Sequence, residues 1–143
     1  MLHCILSKED NIGIINFHTP QNKRHVSEEA FKINSQKQAA AAPQVLGILK
    51  QHSLSDTNLR CLEFFFYTNT IEKAKSLASE LKKKEYTVAY CESGYPKNQF
   101  VITGWTRKIS IEDNALFTWV KEMCELGYKY DCEFDGWGTH VDQ

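Results

Sequence analysis

Leu59-Arg60-Cys61-Leu62-Glu63-Phe64-Phe65-Phe66-Tyr67 is the stretch on which the fold turns. It is rich in aromatic side chains and has no helical period. Strand alternation puts Leu62, Phe64 and Phe66 on one face and Cys61, Glu63, Phe65 and Tyr67 on the other. One face is wholly apolar and the other is mixed, which is the pattern of a central strand in a sheet covered on one side. Immediately downstream, Asn69 or Thr70 can cap a helix, and Glu72 stands in capping-box register with Asn69. Ile71, Ala74, Leu77, Ala78 and Leu81 then recur at helical spacing, while Lys82, Lys83 and Lys84 suit the negative end of the helix dipole.

Further outward, Tyr86 to Cys91 alternates as a second strand, and Ser93-Gly94-Tyr95-Pro96-Lys97-Asn98 carries turn chemistry. Gln99 to Thr106 completes a hairpin as the third strand. Ser110, with Asp113 three residues on, opens a second helix whose stripe is Ala115, Leu116, Trp119, Val120 and Met123; Gly127 is placed to stop it. Tyr128 to Phe134 reads as the last strand, and Asp135-Gly136 turns the chain out of it. Strand, helix, strand, strand, helix, strand is the order of an α+β, ferredoxin-like βαββαβ two-layer sandwich with a four-stranded antiparallel sheet.

Residues 1–42 form an N-terminal extension to a domain of residues 43–143. In the extension, Leu2–Leu6 and Ile12–Phe17 flank a polar turn and read as a β-hairpin. Ser27 with Glu28 and Glu29 opens a helix directed towards the Ala39–Ala42 string. Pro43 suits the first turn of a separate short helix, and Ser53 to Asn58 is a loop.

At 143 residues the chain has room for one domain with a real core. The net charge of −1 provides no field for nucleic acid or an anionic membrane. Five cysteines is an odd count; none forms C-x-x-C, and the apolar start at Met1–Leu6 is too short for a signal or a membrane span. Reduced thiols in the cytoplasm are the expectation.

Alternation along the last strand aligns Asp131, Glu133 and Asp135 on one face. Such a row could ligate a divalent cation or work as paired acid and base, although any half-buried strand produces a solvated polar face of this kind. His3, His18, His25, His52 and His140 are scattered without ligand spacing. There is no G-x-S-x-G, P-loop or G-x-G-x-x-G. No cofactor, metal or catalytic residue is therefore assigned. Phe65, Tyr67 and Trp105 could occupy the base-stacking positions of an RNA-binding sheet. However, Gln99 to Trp105 lacks the basic-Gly-aromatic pattern of such sheets, and Glu63 shares the face, so direct nucleic-acid binding is disfavoured.

The most distinctive string is Phe134-Asp135-Gly136-Trp137-Gly138, in which Trp137 can fold back as a lid or anchor a partner. Preceded by Tyr130-Asp131-Cys132-Glu133, it resembles the C-terminal signature of the regulator of ribonuclease E activity B (RraB-like) family, with Phe134 where a tyrosine is typical. Glu63-Phe64-Phe65-Phe66-Tyr67, the helix from Ile71 and Tyr86-Thr87-Val88 extend the resemblance over about Pro43 to Val141. It implies a ferredoxin-like fold and a non-enzymatic regulator that docks on a nuclease and modulates RNA turnover. The candidate protein interface is Phe65, Tyr67, Trp105, Asp131, Glu133, Asp135 and Trp137. The competing readings are a ligand-binding or self-associating domain, with a homodimer through bare sheets, and then an RNA-binding domain.

Overall fold

The computed structural model describes residues 24–52, 59–93 and 99–139. The expected N-terminal hairpin, the Ser53–Asn58 loop and most of the Ser93–Asn98 turn lie outside them. In chain order the elements are α1 (Glu28–His52), β1 (Leu59–Arg60), β2 (Glu63–Thr68), α2 (Ile71–Lys83), β3 (Thr87–Glu92), β4 (Phe100–Trp105), β5 (Ile109–Ser110), α3 (Asp113–Lys129) and β6 (Glu133–Gly138). Four strands make one sheet in the order β3-β4-β2-β6, with every neighbouring pair antiparallel. The molecule is thus mixed α/β, with three helices among the described residues and antiparallel sheets.

The alternation of the Leu59–Tyr67 stretch decides which face is buried. Leu62, Phe64 and Phe66 are fully buried, whereas Glu63, Phe65 and Tyr67 are half-buried. Leu77, Leu81, Ile102, Leu116, Val120, Met123 and Phe134 complete a core between the helices and one sheet face. α2 packs on β3, β4 and β2, and α3 on β6 and α1. Thr70 caps α2 by accepting from the Lys73 N–H at 3.2 Å. At Gly104, Phe64 and the Thr87 backbone come so close that a Cβ would lie 1.8 Å from the Thr87 carbonyl oxygen, and only glycine fits.

Five local expectations are corrected. The Leu59–Tyr67 stretch is not one strand. It breaks at Cys61-Leu62, and β1 pairs instead with β5. Thr106 replaces the lost strand partner, since its hydroxyl accepts from the Leu62 N–H at 2.9 Å and its own N–H donates to the Leu62 carbonyl at 2.8 Å. There is no separate helix at Pro43. α1 runs unbroken for 25 residues with Pro43 inside it. The Ala39–Ala42 string has the highest helix propensity, and Ala42 is held in the core while Pro43 faces solvent.

Ser110 does not cap α3; it lies in β5, and the N-cap position is Glu112, without a side-chain cap. Gly127 does not stop α3 either. It is a close-approach glycine, with the Phe66 ring 2.9 Å and the Cys132 carbonyl oxygen 2.7 Å from where a Cβ would stand. The helix continues to Lys129 and closes in a Schellman motif, with Cys132 N–H donating to the Gly127 carbonyl at 2.8 Å and Asp131 N–H to the Tyr128 carbonyl at 3.1 Å. The left-handed position of that motif is Asp131, at φ 61°. The last strand therefore begins at Glu133 rather than Tyr128.

Candidate functional site

The sheet has two unlike faces. The helices cover one, and no described helix packs on the other. Pair registers set the members of this second face. Tyr67 stands opposite Glu133 on one side and Val101 on the other, and Phe65 stands opposite Gly136 and Thr103. Trp105 pairs with Glu63 and Thr87. Phe65, Tyr67, Trp105 and Glu133 are accordingly brought together, and all four are half-buried; Val101 and Cys91, which continue the row from Tyr67 across β4 and β3, are buried. Burial, followed by the nearby Asp135 charge, pushes the Tyr67 hydroxyl above its ordinary value. The surface is aromatic and acidic, and no lysine or arginine projects from the described strands onto it.

Asp135 and Trp137 are separated by an irregularity in β6. Phe66 pairs with Phe134 but Phe65 pairs with Gly136, so Asp135 is an extra residue in the ladder. A one-residue bulge inverts the facing of everything beyond it. Asp135 is left exposed at the edge, and Trp137 swings to the helix side opposite Phe64. There it meets Trp119 edge to face, with ring centroids 6.1 Å apart. Phe134 and the tilted Phe66 ring lie deeper in the same cluster, at 5.1 Å.

Asp131 is not on the strand, so the expected row of three carboxylates on one face does not form. It sits in the turn after α3, 8% exposed, and ties three segments together. Its carboxylate accepts the backbone N–H of His25 at 2.8 Å and of Val26 at 2.7 Å, and pairs with Lys73 Nζ at 2.6 Å. Arg24 approaches it at 3.5 Å, lies over the Tyr128 ring at 4.2 Å and donates to the Tyr128 carbonyl. Thr68 donates to the Asp131 carbonyl at 2.9 Å. Burial alone would raise the Asp131 pKa; the Lys73 hydrogen bond, the His25 and Val26 N–H groups and the Lys73 charge outweigh it and hold the carboxyl below its ordinary value.

α1 adds a second set of contacts that the sequence did not signal. Asn34 Nδ2 donates to the Phe134 carbonyl at 2.7 Å, and Gln38 Nε2 to the Asp135 carbonyl at 3.2 Å. The helix therefore lies along the outer edge of β6 and fills its backbone acceptors with side-chain amides. Phe31 stacks on Tyr128 at 4.4 Å to hold it there. The only local trace of this role is the spacing of Asn34 and Gln38, one helical turn apart.

The chemistry available elsewhere is limited. Burial pushes the Cys124 thiol up to about 11 and the Cys132 thiol up to about 12, which keeps both protonated at neutral pH. Among the described residues no group of three or more His, Cys, Asp or Glu side chains is placed to hold a metal ion. Likewise, no described helix is long and apolar enough to cross a membrane. Beside α3, an open groove of about 300 Å³ runs past Tyr86, Trp119 and Leu126, where Trp119 Nε1 donates to Tyr86 Oη at 3.2 Å.

The described residues thus form a mixed α/β domain whose second sheet face is aromatic and acidic. The family follows from sequence comparison. The model of the family "Regulator of ribonuclease activity B" matches residues 39–139, and the chain belongs to that family. Among curated proteins, none matches the chain. The match begins within α1, so Arg24, His25, Val26, Asn34 and Gln38 all precede it.

Proposed function

We propose that the chain is a non-enzymatic, cytoplasmic regulator that acts by docking on a ribonuclease and so modulates RNA turnover. The observation that carries this reading is the family match over residues 39–139, since the family is one of regulators of ribonuclease activity. The strand order β3-β4-β2-β6, with two crossover helices on one face, fits a ferredoxin-like sandwich formed by residues 43–143, to which residues 1–42 are an extension. The docking surface in this reading is Phe65, Tyr67, Trp105 and Glu133, bordered by Asp135. Aromatic rings supply contact area, and the carboxylates select a basic protein surface and repel phosphate. Asp131 and Trp137 contribute indirectly, by fixing where β6 lies.

Two other readings remain in view. Self-association through sheet faces would bring Glu133 and Glu63 of two copies towards one another, which opposes it. RNA binding would need cations on a face that carries carboxylates. The test is a cleavage assay with purified ribonuclease E and a short RNA, titrated with this chain. Cleavage is expected to fall, and Tyr67→Ala combined with Glu133→Gln should raise the required concentration about tenfold, equivalent to about 1.4 kcal/mol. Cleavage unchanged at saturating chain would remove the ribonuclease from the reading. A gel shift of the RNA by the chain alone would move the reading to RNA binding.

A further inference from the structure

β6 is the outer strand of the four-stranded sheet, and among the described residues no strand lies beyond it. An outer strand presents unpaired backbone groups, which proteins cover or use to bind another strand. Here the cover is α1, and the way it is attached is unusual for a packed helix. Two side-chain amides, Asn34 and Gln38, take the place that the N–H groups of a neighbouring strand would fill at the Phe134 and Asp135 carbonyls. The end of the cover is fastened by one carboxylate, Asp131, through the backbone of His25 and Val26. All of these α1-side contacts come from residues ahead of the family match, which starts at Ala39. The half of α1 that makes these contacts thus lies ahead of the family match, while residues 39–52 of the same helix lie within it.

We propose that α1 is a displaceable cover over the β6 edge, and that the edge, once uncovered, binds an extended, basic segment of a partner protein as an added strand. Charge decides the occupant. Lifting the segment from Arg24 onwards removes Arg24 and two N–H donors from Asp131, which stays paired with Lys73 at 2.6 Å, and the uncovered edge then presents the carboxylates of Glu133 and Asp135. Like charges would oppose one another if a second copy paired β6 with β6, whereas lysine or arginine side chains on an incoming strand would meet carboxylates. Backbone hydrogen bonds supply the affinity, and the carboxylates supply the choice of partner. This inference rests on the protein-binding reading above and adds the β6 edge as a second surface beside the sheet face.

The test uses the full chain, with an acetylated heptapeptide alternating lysine and valine as the probe, followed by fluorescence anisotropy. Asn34→Ala with Gln38→Ala removes both covering donors and keeps good helix formers; it should bind the peptide at least tenfold more tightly than the native chain. Ser35→Cys provides the opposite variant, because Ser35 on α1 interacts with Cys124 on α3, and a disulfide between the two, verified by loss of free thiol, fastens α1 to α3. The oxidised form should lose at least tenfold in affinity, and dithiothreitol should restore it. Hydrogen exchange should show the amides of residues 133–136 becoming protected when the peptide binds. Equal affinity in the native, uncovered and fastened forms overturns the proposal. So does equal binding of a glutamate–valine peptide, or dimerisation of the uncovered variant in light scattering. If ribonuclease modulation persists while peptide binding fails, only the edge is lost. If the peptide binds and ribonuclease cleavage is untouched, only the ribonuclease is lost.

Discussion

Asp131 and Glu85 hold the same backbone conformation for different returns. Each occupies the left-handed position that ends a helix, at φ 61° and φ 68°, where glycine is the usual residue. After α2, the Glu85 N–H donates to the Lys82 carbonyl at 2.9 Å and the Tyr86 N–H to the Leu81 carbonyl at 3.4 Å. Glu85 is exposed, and no hydrogen bond or ion pair of its side chain offsets the crowding of its Cβ. Glu85→Gly should therefore stabilise the fold by about 1 kcal/mol, read as a higher urea midpoint at unchanged slope. Asp131 is the reverse case, because its carboxylate holds Lys73, His25 and Val26 in place. Asp131→Asn keeps a residue that tolerates the conformation and removes the charge; the expected loss is about 2 kcal/mol at pH 7. The pH dependence has a definite sign. The folded carboxyl sits below its ordinary value, so its contribution is complete above the unfolded pKa of about 3.9 and disappears as pH falls through the folded one. The groups facing it are Lys73 from α2, Arg24 with the Tyr128 ring beneath it, and the Cys132 thiol. In urea unfolding, the stability difference between native and Asp131→Asn chains should consequently shrink as pH falls below about 3.9.

At the scale of elements, β6 and α1 carry the consequences. The extra residue at Asp135 sends Trp137 to the helix side, where it meets Trp119. Trp137→Ala should then act as a core truncation at a half-buried site and lower stability by about 2 kcal/mol, with a change in Trp119 fluorescence. Unchanged stability together with lost binding would place the ring outside instead and sink the bulge assignment. α1 is long, and its contacts with the sheet edge are polar. Its attachment depends on Asn34, Gln38 and Phe31 and on the Asp131 turn, while Ala42 reaches the core. α1 also packs along α3, so Asn34 and Gln38 fasten it to the sheet edge while α3 holds its other side.

For the whole molecule, one sheet face holds the core, and the proposed docking surface falls on the other. Substitutions at Phe64, Phe66 or Phe134 open the core, whereas Tyr67 and Glu133 sit on the face that no described helix covers. The order of the main elements could be read along the chain because each has a strong local pattern. Examples are the alternation of Leu62, Phe64 and Phe66 and the stripe from Ile71 to Leu81. The family signature around Trp137 was legible for the same reason, as a compact string of uncommon residues. Residue pattern by itself therefore determined which face of β2 is apolar, where α2 lies, and to which family the chain belongs. Only the tertiary structure decided that Gly127 is a close contact rather than a stop, that Asp131 leaves the strand, that Trp137 points inward and that α1 covers the β6 edge. Each of those outcomes depends on atoms far apart in sequence: the Phe66 ring against Gly127, the His25 and Val26 amides on Asp131, the Phe65–Phe66 register, and the Phe134 carbonyl facing Asn34. Local pattern reports how a residue is buried along its own element, and these partners are chosen only when the elements meet.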